Sequence, residues 1–200
     1  MSKSLGNTLC PEEEIEAIGT DAIRLFLASL PLLRKDSSYS RTLCVSLSNE
    51  ILSNKLGNLM SRVSSKGLNP SLEFITSDQP ELQRLLSRTD LGARLLLQFD
   101  SLNKSTQKNW SDLALHKVVH EVSILLDSCN QFFTASEPWK LTCPDERRFI
   151  LAVTFEALRL SANHLAPFTP DTSSRLIGQL EIMKKGTAKE KFILHNKVLL

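Results

Sequence analysis

The sequence lacks the composition of a fibrous, disordered or disulfide-stapled protein. Its 200 residues include only seven Gly and eight Pro, which is too few for a collagen-like or linker-like chain. The four cysteines lie far apart, with neither a Cys-x-x-Cys pair nor a His at ligand spacing: Cys10, Cys44, Cys129 and Cys143. These absences argue against a zinc site or a disulfide framework and favour a reducing compartment.

Charge and hydrophobicity exclude two further classes, bulk phosphate binders and membrane-spanning proteins. The formal net charge is only +2, and five Lys against one Glu lie from Met183 to the C-terminus, so the rest of the chain is slightly acidic. Any nucleic acid would therefore be bound through specific contacts rather than bulk charge. The apolar runs are short and interrupted, which excludes a bilayer-spanning segment. The first seven residues have the pattern of neither a signal peptide nor a transit peptide.

Helical periodicity runs through nearly the whole chain from Pro11 onward. Pro11 followed by three Glu predicts a helix start, because proline presets φ and the acids face the positive end of the helix dipole. Gly19 should end this helix, and Thr20 and Asp21 should cap the next. Further helices are predicted over 40–63, over 80–102 with an interruption at 90–92, from a Ser111 or Asp112 cap to about Pro138, over 144–165, and up to Leu180. No convincing strand pattern precedes the tail, so the sequence predicts an all-α helical bundle.

No self-contained active site is visible in the sequence. Loops of the Gly-x-x-x-x-Gly-Lys, Gly-x-Gly-x-x-Gly and Gly-x-Ser-x-Gly types are missing. His116 and His120 have the i,i+4 spacing of half a metal site, but Lys117 stands where a flanking carboxylate would be needed. We interpret the pair as two partly exposed helix residues and predict no metal site. Trp110, just before the predicted cap, is expected to pack against the bundle.

The first 27 residues carry the sharpest motif. Met1–Asn7 (Met-Ser-Lys-Ser-Leu-Gly-Asn) is followed by the acidic helix and by Gly19–Leu27 (Gly-Thr-Asp-Ala-Ile-Arg-Leu-Phe-Leu). This order strongly resembles the second signature of class I aminoacyl-tRNA synthetases, Lys-Met-Ser-Lys-Ser, with the stem-contact region after it. The first Lys of the signature is absent because the chain starts at the Met. The resemblance implies that Lys3 faces ATP, with Ser2 and Ser4 as lesser donors, since an ammonium can balance charge on a transferred phosphorus.

Three later motifs resemble one family within that class. Residues 49–63 (Asn-Glu-Ile-Leu-Ser-Asn-Lys-Leu-Gly-Asn-Leu-Met-Ser-Arg-Val) look like the first helix of the methionyl-tRNA synthetase anticodon domain, where Asn-x-x-Gly-Asn-Leu-x-x-Arg recurs. Residues 137–141 are similar to that family's Pro-Trp element, and residues 165–170 match its late helix-ending motif. The resemblance covers roughly residues 1–180. Residues 67–70 and the sequence Trp-Lys-Leu at residues 139–141 favour the mitochondrial, bacterial-type form of the family.

The same resemblance implies which residues contact the anticodon. Four residues spaced four apart form one polar row on a helix: Glu50, Asn54, Asn58 and Arg62. Periodicity alone favours a solvated face, but the family's residues matching Asn58 and Arg62 contact anticodon bases, and amide and guanidinium groups read base edges well. Trp139 follows a helix-breaking proline. An indole there more often seals a core, but the family's matching Trp stacks on an anticodon base.

The resemblance also divides the chain and names its partners. Residues 1–38 would hold the loop and stem-contact helices at the end of a truncated catalytic region, and residues 39–182 the α-helical anticodon-binding domain. Residues 183–200 are a basic tail of uncertain structure. The expected partner is the anticodon loop of tRNA(Met), without a membrane. ATP, with Mg²⁺, and methionine are substrates of the full-length enzyme, and none is expected to bind this chain tightly.

Catalysis is not expected from this chain alone. The family's nucleotide-binding half, with its His-x-Gly-His element, has no counterpart in the sequence. As the C-terminal portion of methionine–tRNA ligase, the chain would recognise the tRNA(Met) anticodon during ATP-dependent aminoacylation. The resemblance implies the mitochondrial matrix, with the cytoplasm as the alternative, since the chain contains no targeting sequence.

Two alternatives stay open at this point. One is a stand-alone, non-catalytic helical module that binds RNA or serves as a scaffold. The other is the same region of a valyl-, isoleucyl- or leucyl-type synthetase, which shares the N-terminal loop and the helix containing Asp21. The Gly57-Asn58-Leu59 and Pro138-Trp139 elements argue against this last reading.

Overall fold

The computed structural model describes residues 9–31, 37–71 and 79–184, and within these ranges the chain forms helices and no strands. In chain order the elements are α1 (Pro11–Ile18), α2 (Thr20–Ser29), α3 (Arg41–Ser48), a π-helix (Asn49–Gly57), α4 (Asn58–Val63), α5 (Gln79–Leu86), α6 (Asp90–Ser111), α7 (Leu115–Ser136), α8 (Pro144–Leu165) and α9 (Pro170–Lys184). The predicted all-α helical bundle is confirmed. The division at residues 38 and 182 stays a prediction.

The corner between α1 and α2 corrects the predicted cap. Pro11 and its acidic neighbours begin α1 as expected, and Gly19 follows it with φ 82°, a value that favours glycine. Gly19 is also the N-cap of α2, so Thr20 and Asp21 already lie inside the helix and neither side chain caps it. The prediction that they would do so was wrong, because the chain enters α2 directly from the glycine.

The Asp21 side chain instead caps a helix far away in sequence. Its two carboxylate oxygens accept hydrogen bonds from the backbone N–H groups of Asp171, at 3.4 Å, and Thr172, at 2.7 Å. These donors belong to the first turn of α9, where backbone N–H groups have no partner within the helix. One turn later in α2, Arg24 donates to the carbonyl of Pro167 at 2.6 Å. Together the two side chains fasten α2 to the turn between α8 and α9.

Residues 41–63 form one continuous helical rod, as the sequence predicted. Ser40 is its N-cap, and its hydroxyl accepts a hydrogen bond from the Leu43 N–H. The middle of the rod has the wider π register, in which the Asn58 N–H reaches the carbonyls of both Ser53 and Lys55. Such segments are rare in proteins and occur often at functional sites.

The helices on either side of Trp110 differ from the prediction. α6 continues through Trp110 to Ser111, and α7 begins at Leu115 without a side-chain cap. The predicted cap at Ser111 or Asp112 was therefore wrong, because Leu113 turns the chain with φ 51°. The expectation that Trp110 packs against the bundle is confirmed: its ring stacks on Phe168 with 5.3 Å between centroids.

Two hydrophobic cores hold these helices together. The larger one is centred on α8, of whose 22 residues twelve are buried. The smaller one lies between α1, α2 and α3 and contains Ile18, Ala22, Phe26 and Cys44. Helix α2 belongs to both cores, since its Leu25 is fully buried in the larger one. The N-terminal helices and the bundle are therefore packed together through α2.

A network around Glu14 fastens α1 to the start of α3. Glu14 is buried and accepts hydrogen bonds from the Tyr39 hydroxyl, at 2.6 Å, and from the Arg41 guanidinium, whose Nε lies 2.9 Å away. The Arg41 hydrogen bonds, followed by that of Tyr39, lower the pKa of Glu14 to about 2. Burial and the same carboxylate raise the pKa of Tyr39. The contacts therefore favour the charged carboxylate of Glu14 and the neutral hydroxyl of Tyr39.

The directions of the helices give the bundle two distinct ends. Hydrogen bonds pair Gln98 with Ser128 and Ser105 with Glu121, so α6 and α7 are antiparallel. The rod of residues 41–63 runs parallel to α7. One end, which we call the junction end, holds Trp110, the α8–α9 turn and the caps from α2. The opposite end, the Trp139 end, lies about 33 Å away, the length of a 22-residue helix.

Within the described ranges, no helix combines the length and the apolar character that a membrane crossing requires.

Candidate nucleic-acid interface

A polar groove lies along the Trp139 end, between the rod of residues 41–63 and α7. Its volume is about 680 Å³. The rod contributes three members of the predicted polar row, Asn54, Asn58 and Arg62, whereas Glu50 is not among the lining residues. Helix α7 contributes the opposite wall, which consists mainly of polar side chains: Asp127, Asn130, Gln131 and Thr134. The row predicted from the sequence therefore faces a partner helix across an open groove.

Asn58 is exposed within this groove and contacts one amide of α7. Its Nδ2 donates a hydrogen bond to the Asn130 Oδ1 at 3.4 Å. The Asn130 amide nitrogen in turn donates to the backbone carbonyls of Leu126, at 3.0 Å, and Lys55, at 3.3 Å. Asn130 is thus oriented by main-chain atoms of both walls. The long bond from Asn58 is the weakest of the set by distance.

Arg62 lies one turn further along and is held by two consecutive residues of α7. Its Nη1 donates to the Thr134 hydroxyl at 3.0 Å. Its guanidinium carbon lies 5.7 Å from the centroid of the Phe133 ring, within cation–π range. A guanidinium has five N–H donors in a fixed fork. The Thr134 contact uses one of these donors, and Arg62 lines the groove.

Trp139 is presented by a tight turn at the end of α7. Glu137 adopts φ 42° and ends the helix, and its carbonyl accepts a hydrogen bond from the Lys140 N–H at 2.8 Å. Pro138 is buried, while Trp139 is 52% exposed. The indole lies 6.4 Å from the Phe133 ring, between centroids, at a tilt of 44°. The sequence alone favoured a core-sealing indole, whereas the structure leaves this ring accessible.

The structure therefore brings the three predicted residues to one end of the bundle. Arg62 and Trp139 share a neighbour in Phe133, and Asn58 lies one helical turn from Arg62 on the same groove. Their assignment to an anticodon stays a prediction. The remaining predicted residues, Ser2, Lys3 and Ser4, lie outside the described residues.

A half-buried cation, Lys55, forms one side of the groove. The Lys55 ammonium lies 2.8 Å from Asp127, 2.9 Å from Glu50 and 2.7 Å from the Ser123 hydroxyl. Burial would lower the pKa of Lys55, but its hydrogen bonds to Asp127 and Glu50 outweigh that effect and raise it. The ammonium is charged and lies between two carboxylates, so one positive charge is set against two negative ones. The cluster adds no net positive charge to the groove, so recognition there would depend on hydrogen bonding.

Sequence reasoning missed the α7 wall of the groove. Asn130 and Thr134 are spaced four apart, as are the row residues opposite them, and this spacing was a usable signal. The pairing of Asn58 with Asn130 depends on how two helices 72 residues apart are aligned. Phe133 was missed because a buried aromatic beside Phe132 is indistinguishable in sequence from any other core residue.

Among the residues that the structure describes, no group of three or more His, Cys, Asp or Glu side chains is arranged to hold a metal ion. His116 is partly exposed and His120 is exposed on α7. All four cysteines have free thiols, with Cys44 and Cys129 buried and the other two exposed.

Comparison with known proteins gives concordant results in sequence and fold. A family model described as "tRNA synthetases class I (M)" matches residues 1–64. The methionine–tRNA ligase of Brucella suis is 31% identical over 185 residues, which are 91% of this chain and 34% of that protein. The mitochondrial methionine–tRNA ligase of Takifugu rubripes is 30% identical over 189 residues, 91% of this chain and 32% of its own length.

The solved structures agree with these relatives. Mycobacterium tuberculosis methionyl-tRNA synthetase in complex with methionyl-adenylate superposes with a TM-score of 0.74 and 28% sequence identity, over 88% of this chain and 35% of that one. The chain thus spans about a third of the length of the relatives it matches. By sequence and by fold, it belongs to the methionyl-tRNA synthetase family of class I, and it corresponds to the C-terminal part of these proteins.

Proposed function

We propose that this chain recognises the anticodon of tRNA(Met) as the C-terminal portion of a methionine–tRNA ligase. The observation that carries the proposal is the pairing of an accessible indole, Trp139, with a guanidinium, Arg62, on one buried ring beside a groove lined with amides. A stacking surface next to fixed hydrogen-bond donors is the arrangement by which proteins bind unpaired bases.

Each side chain has a separate task in this proposal. A splayed base stacks on Trp139, a contact worth about 1–3 kcal/mol. Arg62 and Asn58 then donate to acceptors on the edges of the neighbouring bases, because a guanidinium and an amide present donors in fixed directions. The Lys55 cluster supports sequence-specific over purely electrostatic binding, since its two carboxylates outweigh its one ammonium.

The reaction served by this recognition is ATP-dependent attachment of methionine to its tRNA. In the full-length enzyme, Lys3, Ser2 and Ser4 would face ATP, whose phosphates carry Mg²⁺, while methionine binds elsewhere in the protein. We expect the 200-residue chain alone to catalyse no ATP–pyrophosphate exchange with methionine. Detectable exchange by the purified chain would contradict this expectation.

We place the enzyme in the mitochondrial matrix, with the cytoplasm as the alternative. The support is twofold: a mitochondrial ligase is among the relatives, and the bacterial ligases among them are also similar over most of the chain. Imaging of the tagged full-length protein against a matrix marker tests this assignment.

The direct test uses the intrinsic fluorescence of Trp139. The variant Trp110→Phe removes the second indole while preserving an aromatic ring on Phe168, so that Trp139 alone emits. Adding an RNA stem-loop with the anticodon CAU should quench this emission, because a base stacks on the ring. A stem-loop with a GAU anticodon is the matched control and should bind about 5- to 150-fold more weakly, as expected for the loss of about 1–3 kcal/mol at one base.

Two results would contradict the proposal in different ways. Equal binding of both stem-loops would favour a helical RNA-binding module without anticodon specificity. Absence of RNA binding by a folded chain would favour the scaffold alternative. The variant Trp139→Ala lacks the indole whose quenching reports binding. Its affinity is therefore measured by the fluorescence anisotropy of a labelled stem-loop, which reports binding without Trp139.

A further inference from the structure

Phe133 connects the two side chains to which we assign base recognition. Its ring is fully buried on α7 and belongs to the larger core. The Trp139 indole packs on it from the turn after α7, and the Arg62 guanidinium lies over its ring from α4. Arg62 and Trp139 are 77 residues apart in sequence. Their relative position is therefore set through a shared third residue.

The contacts on either side of Phe133 constrain Arg62 and Trp139 together. A cation over an aromatic face and a ring packed beside it both depend on the position of one side chain. Thr134, the next residue of α7, accepts a hydrogen bond from the Arg62 Nη1 at 3.0 Å and ties the guanidinium to the same turn of α7 as Phe133. A displacement of either partner therefore changes the packing of the other.

We propose, on the basis of the anticodon-recognition function above, that Phe133 is a positioning residue that couples base stacking on Trp139 to base-edge recognition by Arg62. Phe133 itself touches no RNA, because its ring is covered on all sides. It fixes the position of the stacking surface relative to the hydrogen-bond donors, because both pack on its ring. Binding by one side chain then prepares the other.

The neighbouring residue Phe132 provides a matched control. It is the same residue type on the same helix and is nearly as buried, at 5% against 0% exposure. Successive residues of a helix point about 100° apart, so the two rings face different neighbours. Among the described residues, the ring contacts of Trp139 and the cation contact of Arg62 involve Phe133 and not Phe132. Leucine at either position removes one buried ring from the same core.

The test is a double-mutant cycle on CAU stem-loop affinity, using Arg62→Ala, Trp139→Ala and their combination. Suppose that each single variant loses about tenfold in affinity. If the two side chains are coupled, the double variant should lose only roughly tenfold to thirtyfold, far less than the product of the two single losses. In the Phe133→Leu background the two losses should multiply to about a hundredfold. In the Phe132→Leu background the coupling should persist.

The emission wavelength of Trp139, measured without RNA, tests the packing of the indole on Phe133 separately from binding. In the Trp110→Phe background, Phe133→Leu should shift the Trp139 emission to longer wavelength, while Phe132→Leu leaves it unchanged. Phe133→Tyr keeps the ring and should retain both the emission and the coupling. Thermal melts of all variants establish that the folded state is populated.

The outcomes distinguish this inference from the function on which it rests. If the stem-loop binds but the losses multiply in the parent chain, or if Phe133→Leu leaves the coupling intact, Phe133 has no positioning role although anticodon recognition stands. If the stem-loop does not bind at all, the proposed function fails and the coupling with it. An unshifted Trp139 emission in Phe133→Leu overturns the packing argument independently of RNA.

Discussion

The two tryptophans lie at opposite ends of the bundle, and the difference between them separates a structural indole from a candidate binding one. Trp110 is 37% exposed and Trp139 is 52% exposed, so exposure alone barely distinguishes them. Trp110 lies parallel to Phe168, at 1° between ring planes, and one of its faces is covered. Trp139 is tilted by 44° on Phe133, which leaves its ring open to an incoming base. The geometry of the aromatic contact is therefore more informative than the exposed area.

The polar side chains of the two ends differ in the kind of hydrogen-bond partner that they have. At the junction end, Asp21 and Arg24 bond to backbone atoms of the α8–α9 turn. At the Trp139 end, Asn58 and Arg62 bond to side chains of α7. A backbone partner is fixed by the fold, whereas a partly exposed side-chain bond can be exchanged for a ligand. We therefore expect the junction end to contribute to stability, and we propose the Trp139 end for recognition.

The largest expected effects come from removing each of the two indoles in turn. Trp139→Ala should weaken CAU stem-loop binding by about 5- to 150-fold, the equivalent of 1–3 kcal/mol, with little change in thermal stability. Trp110→Ala should do the opposite: it should destabilise the fold by about 2 kcal/mol through loss of the stacked ring and leave RNA affinity unchanged. Anisotropy titrations and thermal melts on both variants measure the two quantities. Similar behaviour of the two variants would remove the distinction.

The variant Asp21→Ala tests whether a polar side chain of the junction end affects stability without affecting RNA binding. Loss of the carboxylate leaves the first-turn N–H groups of α9 without their cap, which should cost about 1 kcal/mol of stability and lower the melting temperature by about 3 °C. Stem-loop affinity should stay within error of the parent chain. Asp100→Ala, at an exposed position of α6, is the matched control and should change neither. A selective loss of RNA binding in Asp21→Ala would contradict the division of labour between the ends.

Acid should destabilise the corner between α1 and α3 in a defined window. Because Glu14 has a pKa of about 2 in the folded chain against 4.5 as its ordinary value, the unfolded state takes up a proton first as pH falls. The contribution of Glu14 to stability is therefore complete above about pH 4.5 and is lost progressively toward pH 2. Glu14→Gln should flatten this part of the stability–pH curve measured by urea denaturation. Glu16→Gln, an exposed acid of the same helix, should retain the curve of the parent.

The smallest effect concerns the reactivity of the four thiols. Burial raises the pKa of Cys44 to about 11 and that of Cys129 to about 12, and both side chains are inaccessible. At pH 8 a thiol reagent should therefore modify Cys10 and Cys143 rapidly and the other two only after unfolding. A third fast-reacting thiol would indicate that one of the cores opens more readily than its packing implies.

Sequence reasoning was most successful where local chemistry decides the structure. Pro11 with its following acids, Gly19 and the helix start near Ser40 depend on interactions within a few residues, and the structure has them where predicted. The predicted caps at Thr20 and Ser111 failed because Gly19 already begins α2 and because α6 continues through Ser111. Asp21 shows what no local pattern encodes, since its partners lie 150 residues away in sequence.

Part of the candidate site could also be predicted from a local pattern. The row through Asn58 and Arg62 follows from helical spacing, and its significance came from the family resemblance. The opposing wall and Phe133 depend on the alignment of two helices, which the sequence does not encode locally. The exposure of Trp139 depends on the turn at Glu137, whose positive φ was not foreseeable from a non-glycine residue.

The most direct test of the account locates the anticodon loop on the bundle, using the two exposed cysteines as labelling positions. Cys143 precedes α8, four residues after Trp139, while Cys10 precedes α1, whose Glu14 is bonded to Arg41 at the start of the rod. A CAU stem-loop with a donor dye in its loop should transfer energy efficiently to an acceptor on Cys143, in the Cys10→Ser chain. Transfer to an acceptor on Cys10, in the Cys143→Ser chain, should be weak. The reverse order would place the RNA at the junction end and contradict the central claim.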